Sequence, residues 1–297
     1  MARVNYLSNK NLLIEIHNSK NSYSYFLDEK YGNYDHIVND LKEINNVLIE
    51  TIRYEKSKKL RQQEIFEQTG KTVNLDKLEI NNILIDNIKI TDLVWRVMDY
   101  SHIPLDNEKT KIPKNEKDKK IRVNFPPFKH YIIDDITNLT FKEVGRSHWK
   151  DGLGNGCFSQ DHGKITNNLG KMYLKLVDRY GGKGNWCRYT YLDEMKAAAL
   201  VQLIKIGLQF DESRKGINNT NNPFGYYTMV AQNAFTFVFN LEKRNQNIRD
   251  DILIMNNMIP SLTRQIDDEF RQKNSNDLFD NIETIPIINK KLKTGTK

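Results

Sequence analysis

Residues 222–244 read "NPFGYYTMVAQNAFTFVFNLEKR". Asn222 followed by Pro223 is an N-cap and first-turn pair, because the amide side chain accepts an orphan N–H and proline has none to lose. A helix therefore opens here. Along it Phe224, Tyr227, Val230, Ala234, Val238 and Leu241 recur at threes and fours and make one apolar stripe. Rotated away from that stripe lie Tyr226, Met229, Gln232, Asn233, Thr236, Phe237, Asn240, Lys243 and Arg244. Amides and hydroxyls hydrogen-bond base edges, cations neutralise phosphates, and rings stack on unpaired bases for about 1–3 kcal/mol each. The competing reading packs Phe235, Phe237 and Phe239 under a neighbouring segment and leaves Gln232 and Asn233 merely solvated.

Two helices precede this one. "ITNNLGKMYLKLVDRY", residues 165–180, carries Leu169, Met172, Tyr173, Leu176 and Tyr180 at helical spacing, and "GGKGNW" then turns the chain. Residues 191–210 hold one stripe of Met195, Ala199, Leu203, Ile206 and Phe210 and a second of Leu200, Ile204 and Leu208, which predicts packing on two sides. Asp193, Glu194, Lys196, Gln202, Lys205 and Gln209 form the polar edge. Near the start, residues 5–20 predict a short amphipathic helix opening at Ser8. Ile37, Leu41, Ile44, Leu48 and Ile52 predict a helix over 34–68, and the apolar run of 79–100 predicts another. Residues 102–130, with four prolines and mixed charges, read as a loop, and the glycine-rich stretch that follows reads as small strands or an irregular loop.

The 45 Lys and Arg against 38 Asp and Glu give +7, a modest bias towards phosphate-bearing partners. Two cysteines without CxxC spacing fit a reducing compartment. "MARVNYLSNK" lacks the apolar core of a signal peptide, and no stretch reaches the roughly 18–20 apolar residues of a membrane span. A cytoplasmic protein is expected. His148, Cys157, His162 and Cys187 fit no common zinc spacing, "GRSHW" and "DHG" lack a nuclease carboxylate set, and "GGKGNW" lacks the spacing of a phosphate-binding loop. No metal, no cofactor and no catalytic residue are expected.

Three helices joined by short polar turns resemble region 2 of bacterial sigma factors. More closely, they resemble the late-transcription sigma factors of T-even-like phages. The pieces that carry the resemblance are "NYLSNKNLL" (5–13), "DEMKAAALVQLIKIGLQFDE" (193–212), then "NP" (222–223), Tyr226, Thr228 and "NAF" (233–235), followed by a basic end. They cover residues 5–16 and 165–250, about a third of the chain. The resemblance implies a mostly α protein. Its expected parts are an N-terminal helix in 1–30 packing on the sigma domain and an insertion over 31–164, helical then loop-rich with possible short strands. A region 2-like domain over 165–250 and a flexible tail over 251–297 complete it.

It further implies that Asp193, Glu194, Gln202 and Lys205 dock on the clamp coiled coil of the largest subunit of bacterial core RNA polymerase. Tyr226 would capture a flipped base, and Gln232, Asn233, Thr236, Asn240, Lys243 and Arg244 would meet an AT-rich promoter element. Leu278, Phe279 and Ile282 in "NDLFDNI", with "IPII" (285–288) as a rival anchor, would bind the phage sliding clamp, and a late co-activator would join it. Housekeeping sigma factors have two adjacent tryptophans where this chain has Met229 and Val230, and Ala198 replaces an acidic residue of the docking helix. The alternatives from other classes are a nucleic-acid-processing enzyme built on the His and Cys loop and a helix-turn-helix repressor.

Overall fold

The computed structural model describes residues 7–70, 88–109, 114–135, 138–214 and 220–270. It divides into two compact units, Met1–Phe235 and Thr236–Lys297. In the first, α1 (Asn9–Ser22) leads through β1 (Ser24–Phe26) and a 3₁₀ turn, Glu29–Gly32, to β2 (His36–Val38). After a second 3₁₀ turn, Leu41–Glu43, comes α2 (Asn46–Thr69). Asn45 caps it, its side chain accepting from Leu48 N–H at 2.8 Å, and Gly70 ends it at φ +68°, where a β-carbon is disfavoured. β3 (Trp95–Val97), β4 (Lys129–Asp135), β5 (Thr140–Ser147), β6 (Trp149–Lys150) and β7 (Cys157–Phe158) follow.

The expectation of a mostly α protein is corrected. β1, β5, β4, β3 and β2 form one five-stranded sheet in that order, and β6 pairs with β7 in a two-stranded one. Neighbours are antiparallel except β2 and β3, which run parallel. A parallel pair needs a crossover, and α2 lies within it. The helix expected over 34–68 therefore begins only at Asn46, because His36, Ile37 and Val38 pair with Trp95, Arg96 and Val97. The same pairing makes Trp95–Val97 a strand inside the stretch expected to be helical over 79–100; residues 71–87 lie outside the described ones.

Side chains alternate across a strand, and β3 uses the alternation fully. Trp95 and Val97 enter an apolar cluster with Val38, Ile44, Ile49, Ile52, Ile88, Leu93 and Ile133, through which α2 packs on the sheet. Burying each such side chain is worth about 1.5–3 kcal/mol. Arg96 points to the other face, where it is 1% exposed. In register beside it on that face lie His130, Gly145 and Phe26. Gly145 is required there: a β-carbon would come within 2.3 Å of the Phe26 ring.

On this face the sheet meets α1 and the segment around Phe210 and Glu212 through buried polar groups. Arg96 Nη1 donates to Glu212 Oε2 at 3.0 Å, Lys20 Nζ donates to Glu212 Oε1 at 2.8 Å and to the Phe210 carbonyl at 2.7 Å, and the Tyr34 hydroxyl donates to Glu212 Oε2 at 2.7 Å. The guanidinium is also sandwiched between the Tyr34 and Phe128 rings, 3.9 and 3.8 Å from their centroids. Burial pushes the Glu212 carboxyl up, but the Lys20 and Arg96 charges and the hydrogen bonds outweigh it and hold it at about 2. Arg96 Nε donates to His130 Nε2 at 2.9 Å, so the His130 proton sits on Nδ1, facing the Tyr31 carbonyl at 2.7 Å.

The helical layer consists of α1, α3 (Asn167–Gly181), α4 (Leu192–Ile206) and the first part of α5 (Pro223–Met255). Thr166 caps α3 and ties it to α1, accepting from Leu169 N–H and donating to Glu15 at 2.6 Å. Leu12 and Ile16, Leu169, Tyr173, Leu176 and Val177, Met195, Ala199 and Leu203, and Tyr227, Ala231 and Phe235 are the apolar side chains of the four helices that are at most 1% exposed. At the end of α4, Gly207 lies against Tyr173, whose hydroxyl would be 2.2 Å from an added β-carbon. Of the second stripe expected to be buried on α4, Leu208 is buried, Leu200 is half-buried and Ile204 is 59% exposed.

In the second unit α5 continues to Met255, the chain turns, and residues 262–270 form a helix, α6. Ser261 donates from its N–H and its hydroxyl to Asp250 at 2.8 and 2.7 Å, and Arg264 pairs with Asp251 at 3.3 Å. The Ser261 N–H and hydroxyl hold the Asp250 carboxyl below its usual range.

Candidate nucleic-acid interface

α5 forms where Asn222 and Pro223 start it, Asn222 Oδ1 accepting from Gly225 N–H at 2.9 Å. Its inward stripe meets three rings: Tyr227 contacts Tyr173 at 5.0 Å, and Phe235 contacts Tyr180 and Trp186 at 5.1 and 5.6 Å between centroids. Phe235 is thus core. Of the residues expected to meet DNA, Gln232 and Asn233 are exposed in the first unit, and Thr236, Asn240, Lys243 and Arg244 are exposed in the second. None of these six side chains has a hydrogen bond or ion pair with another described residue. Met229 and Phe237 are also exposed, at 63% and 67%.

Tyr226 is placed differently. It is half-buried, its ring rests 5.6 Å from Phe210, and its hydroxyl donates to the Ile206 carbonyl at 2.8 Å. Tyr227 does the same for Gly207 at 3.2 Å. The last carbonyls of a helix lack intrahelical donors, so two consecutive tyrosines cap α4. No family model, no curated protein and no solved structure matches this chain.

On α4, Asp193, Glu194, Gln202 and Lys205 are all exposed, and the two carboxylates stand in the first turn, where the helix dipole favours negative charge. Val201 and Ile204 are exposed beside them at 47% and 59%. Neither was expected on this face. Val201 stands four residues from both Ala197 and Lys205 and seven from Glu194, a spacing that sequence alone carries. Leu278, Phe279 and Ile282, and the rival anchor at 285–288, lie outside the described residues.

The histidine and cysteine loop does not converge. His148 is fully buried at φ +53°, 4.1 Å from the Phe125 ring, and neither ring nitrogen has a partner. Burial, with the nearby His102, His162 and Lys20, lowers its pKa to about 3. Burial likewise lowers His102 to about 4. Cys157 and Cys187 are exposed free thiols, and among the described residues no group of three His, Cys, Asp or Glu is placed to hold a metal ion. No helix among the described residues is long and apolar enough to cross a membrane.

Proposed function

We propose that this chain is a sigma-type transcription factor that brings bacterial core RNA polymerase to an AT-rich late promoter element. The observation that carries the reading is the outward row of α5. Two amides, Gln232 and Asn233, and further along Thr236, Asn240, Lys243 and Arg244 present donors, acceptors and cations that no described residue uses. In the first unit the unused amides stand with the exposed Met229 and suit base edges; in the second the unused hydroxyl, amide and cations stand with the exposed Phe237 and suit phosphates and an unstacked base. Because the Tyr226 hydroxyl is committed to Ile206, the exposed Phe237 is the ring best presented for base stacking.

The exposed edge of α4 supplies the polymerase contact in this reading. Val201 and Ile204 add apolar area between Glu194 and Lys205, as a docking helix needs at the centre of its interface. Leu278, Phe279 and Ile282 would tether the complex to the sliding clamp.

The test is co-purification with bacterial core polymerase, followed by transcription from a supercoiled template bearing a TATA-rich late-type element. Stable binding with initiation there supports the reading. Glu194→Lys should weaken polymerase binding, and Asn233→Ala should weaken promoter opening with binding intact. No binding where a control sigma factor binds overturns it, and tight duplex binding without polymerase would make the chain a repressor.

A further inference from the structure

The described part of the second unit is built with its polar groups inside. Asp250 is 3% exposed against Ser261, and Gln246 and Arg264 also bond across the turn. No apolar side chain among its described residues is buried. Leu241, Ile248, Ile252 and Met255 are instead 45%, 48%, 52% and 82% exposed. Such a helix gains almost nothing from packing among the described residues.

One row, exposed except for the half-buried Val238, follows a pattern, and the exposed Phe237 and Ile254 lie outside it. Val238, Leu241, Asn245, Ile248, Ile252 and Met255 are spaced three, four, three, four and three apart, the seam of a two-stranded coiled coil. Asp250 stands two residues from both Ile248 and Ile252, about 160–200° round the helix, so the turn to α6 lies behind the seam. The residues flanking the seam are Glu242, Arg244, Arg249 and Asp251.

We propose that two copies of this chain pair through α5 residues 238–255 in an antiparallel coiled coil. Turned about a two-fold axis between Gln246 and Asn247, Val238 meets Met255 of the second copy, Leu241 meets Ile252, and Asn245 meets Ile248. The flanks then pair Glu242 with Arg249 and Arg244 with Asp251, each twice, so that Arg244 meets promoter DNA only when the two copies part. All four contacts join opposite charges. A parallel pair would set Arg244 beside Arg249 of the other copy, twice, and leave Glu242 and Asp251 without cations. Asn245 lowers stability in either orientation, so the flanking charges set the direction.

Arg264 already holds Asp251 Oδ1, while Oδ2 has no hydrogen bond among the described residues and remains for Arg244. The seam spans about 27 Å and covers on the order of 600 Å² per copy, near the lower edge of stable interfaces.

Sedimentation equilibrium of the full chain over about 1–100 µM tests this. The expected result is a concentration-dependent species of twice 34.9 kDa. Ile248→Asp, at an exposed position, should leave only monomer, and Arg249→Glu should weaken the dimer at least fivefold. The double variant Glu242→Arg with Arg249→Glu should restore it. A monomer at every concentration overturns the proposal, whether the seam is covered by the rest of the chain or by another protein. So does a dimer indifferent to Ile248→Asp. Tighter association of Arg249→Glu overturns the antiparallel orientation, because that change relieves the parallel one.

Discussion

Arg96 Nη1 and Glu212 Oε2 stand 3.0 Å apart, with side-chain exposures of 2% and 5%, although the residues are 116 positions apart in the chain. Glu212 also neutralises Lys20, so one carboxylate balances two buried cations. Removing one partner of a buried pair costs about 3–5 kcal/mol, mostly because the charge left behind has no compensation.

Glu212→Gln should therefore lower unfolding free energy by about 3–5 kcal/mol in urea titration. Tyr34→Phe, which removes one hydrogen bond to the same carboxylate, should cost only about 1–2 kcal/mol. Equal losses would show that the charge balance is not what the site supplies.

Acid should weaken the fold well above the range of ordinary carboxylates. Burial first, and the Arg96 charge next, lower His17 to about 4; His102 lies at about 4 and His148 at about 3, against 6.5 unfolded. Between those values the unfolded chain binds protons that the folded chain refuses, so stability falls as pH drops below 6.5. At pH 5.5 each histidine should cost about 1 kcal/mol relative to pH 8, and Glu212 adds its own loss below 4.5. Urea midpoints at the two pH values measure the sum. His148→Phe should reduce the difference, since a second ring fits against Phe125 and no orphaned nitrogen remains.

Gly207→Ala should destabilise by about 1–3 kcal/mol, the usual cost of overpacking, because its β-carbon would meet the Tyr173 hydroxyl at 2.2 Å. Adding Tyr173→Phe should recover part of that loss and not all of it, since the ring carbon bearing the hydroxyl would still be 2.9 Å away. Thermal melts of the two single variants and the double give the coupling.

Tyr226→Phe and Phe237→Ala should separate structure from DNA. Loss of the α4 cap should cost about 1 kcal/mol of stability and leave promoter opening intact, because the ring stays. Phe237→Ala, at an exposed position, should leave stability unchanged and reduce opening of an AT-rich template several-fold. The reverse assignment, with opening untouched by Phe237→Ala but lost in Tyr226→Ala beyond what its loss of stability explains, would return base capture to Tyr226.

The helices over 167–181 and 192–206 were legible because three- and four-residue periodicity is local, and Asn222–Pro223 announced the start of α5. The sheet was not. Its strands of three residues carry no readable alternation, and Ile37 continues in phase with the stripe of α2 although it pairs with Arg96 instead. Asn45 was a legible cap that could have ended that stripe's claim on residues 34–44. On the interface, Gln232 and Asn233 could be placed on an outward face from spacing alone, whereas the capping role of Tyr226 depends on a carbonyl twenty residues away and on the fold that brings it close.

The Lys20 to Glu212 bond also sets an order of events in time. The two residues are 192 positions apart, and at roughly 5–20 residues per second a ribosome takes roughly 10–40 s to make the second after the first. Until then the ammonium that belongs inside the protein has nothing to neutralise it, and the sheet's Arg96 waits beside it. The N-terminal half is thus synthesised long before it can close, and nascent chains truncated before residue 212 should be cut readily by protease where the finished protein resists.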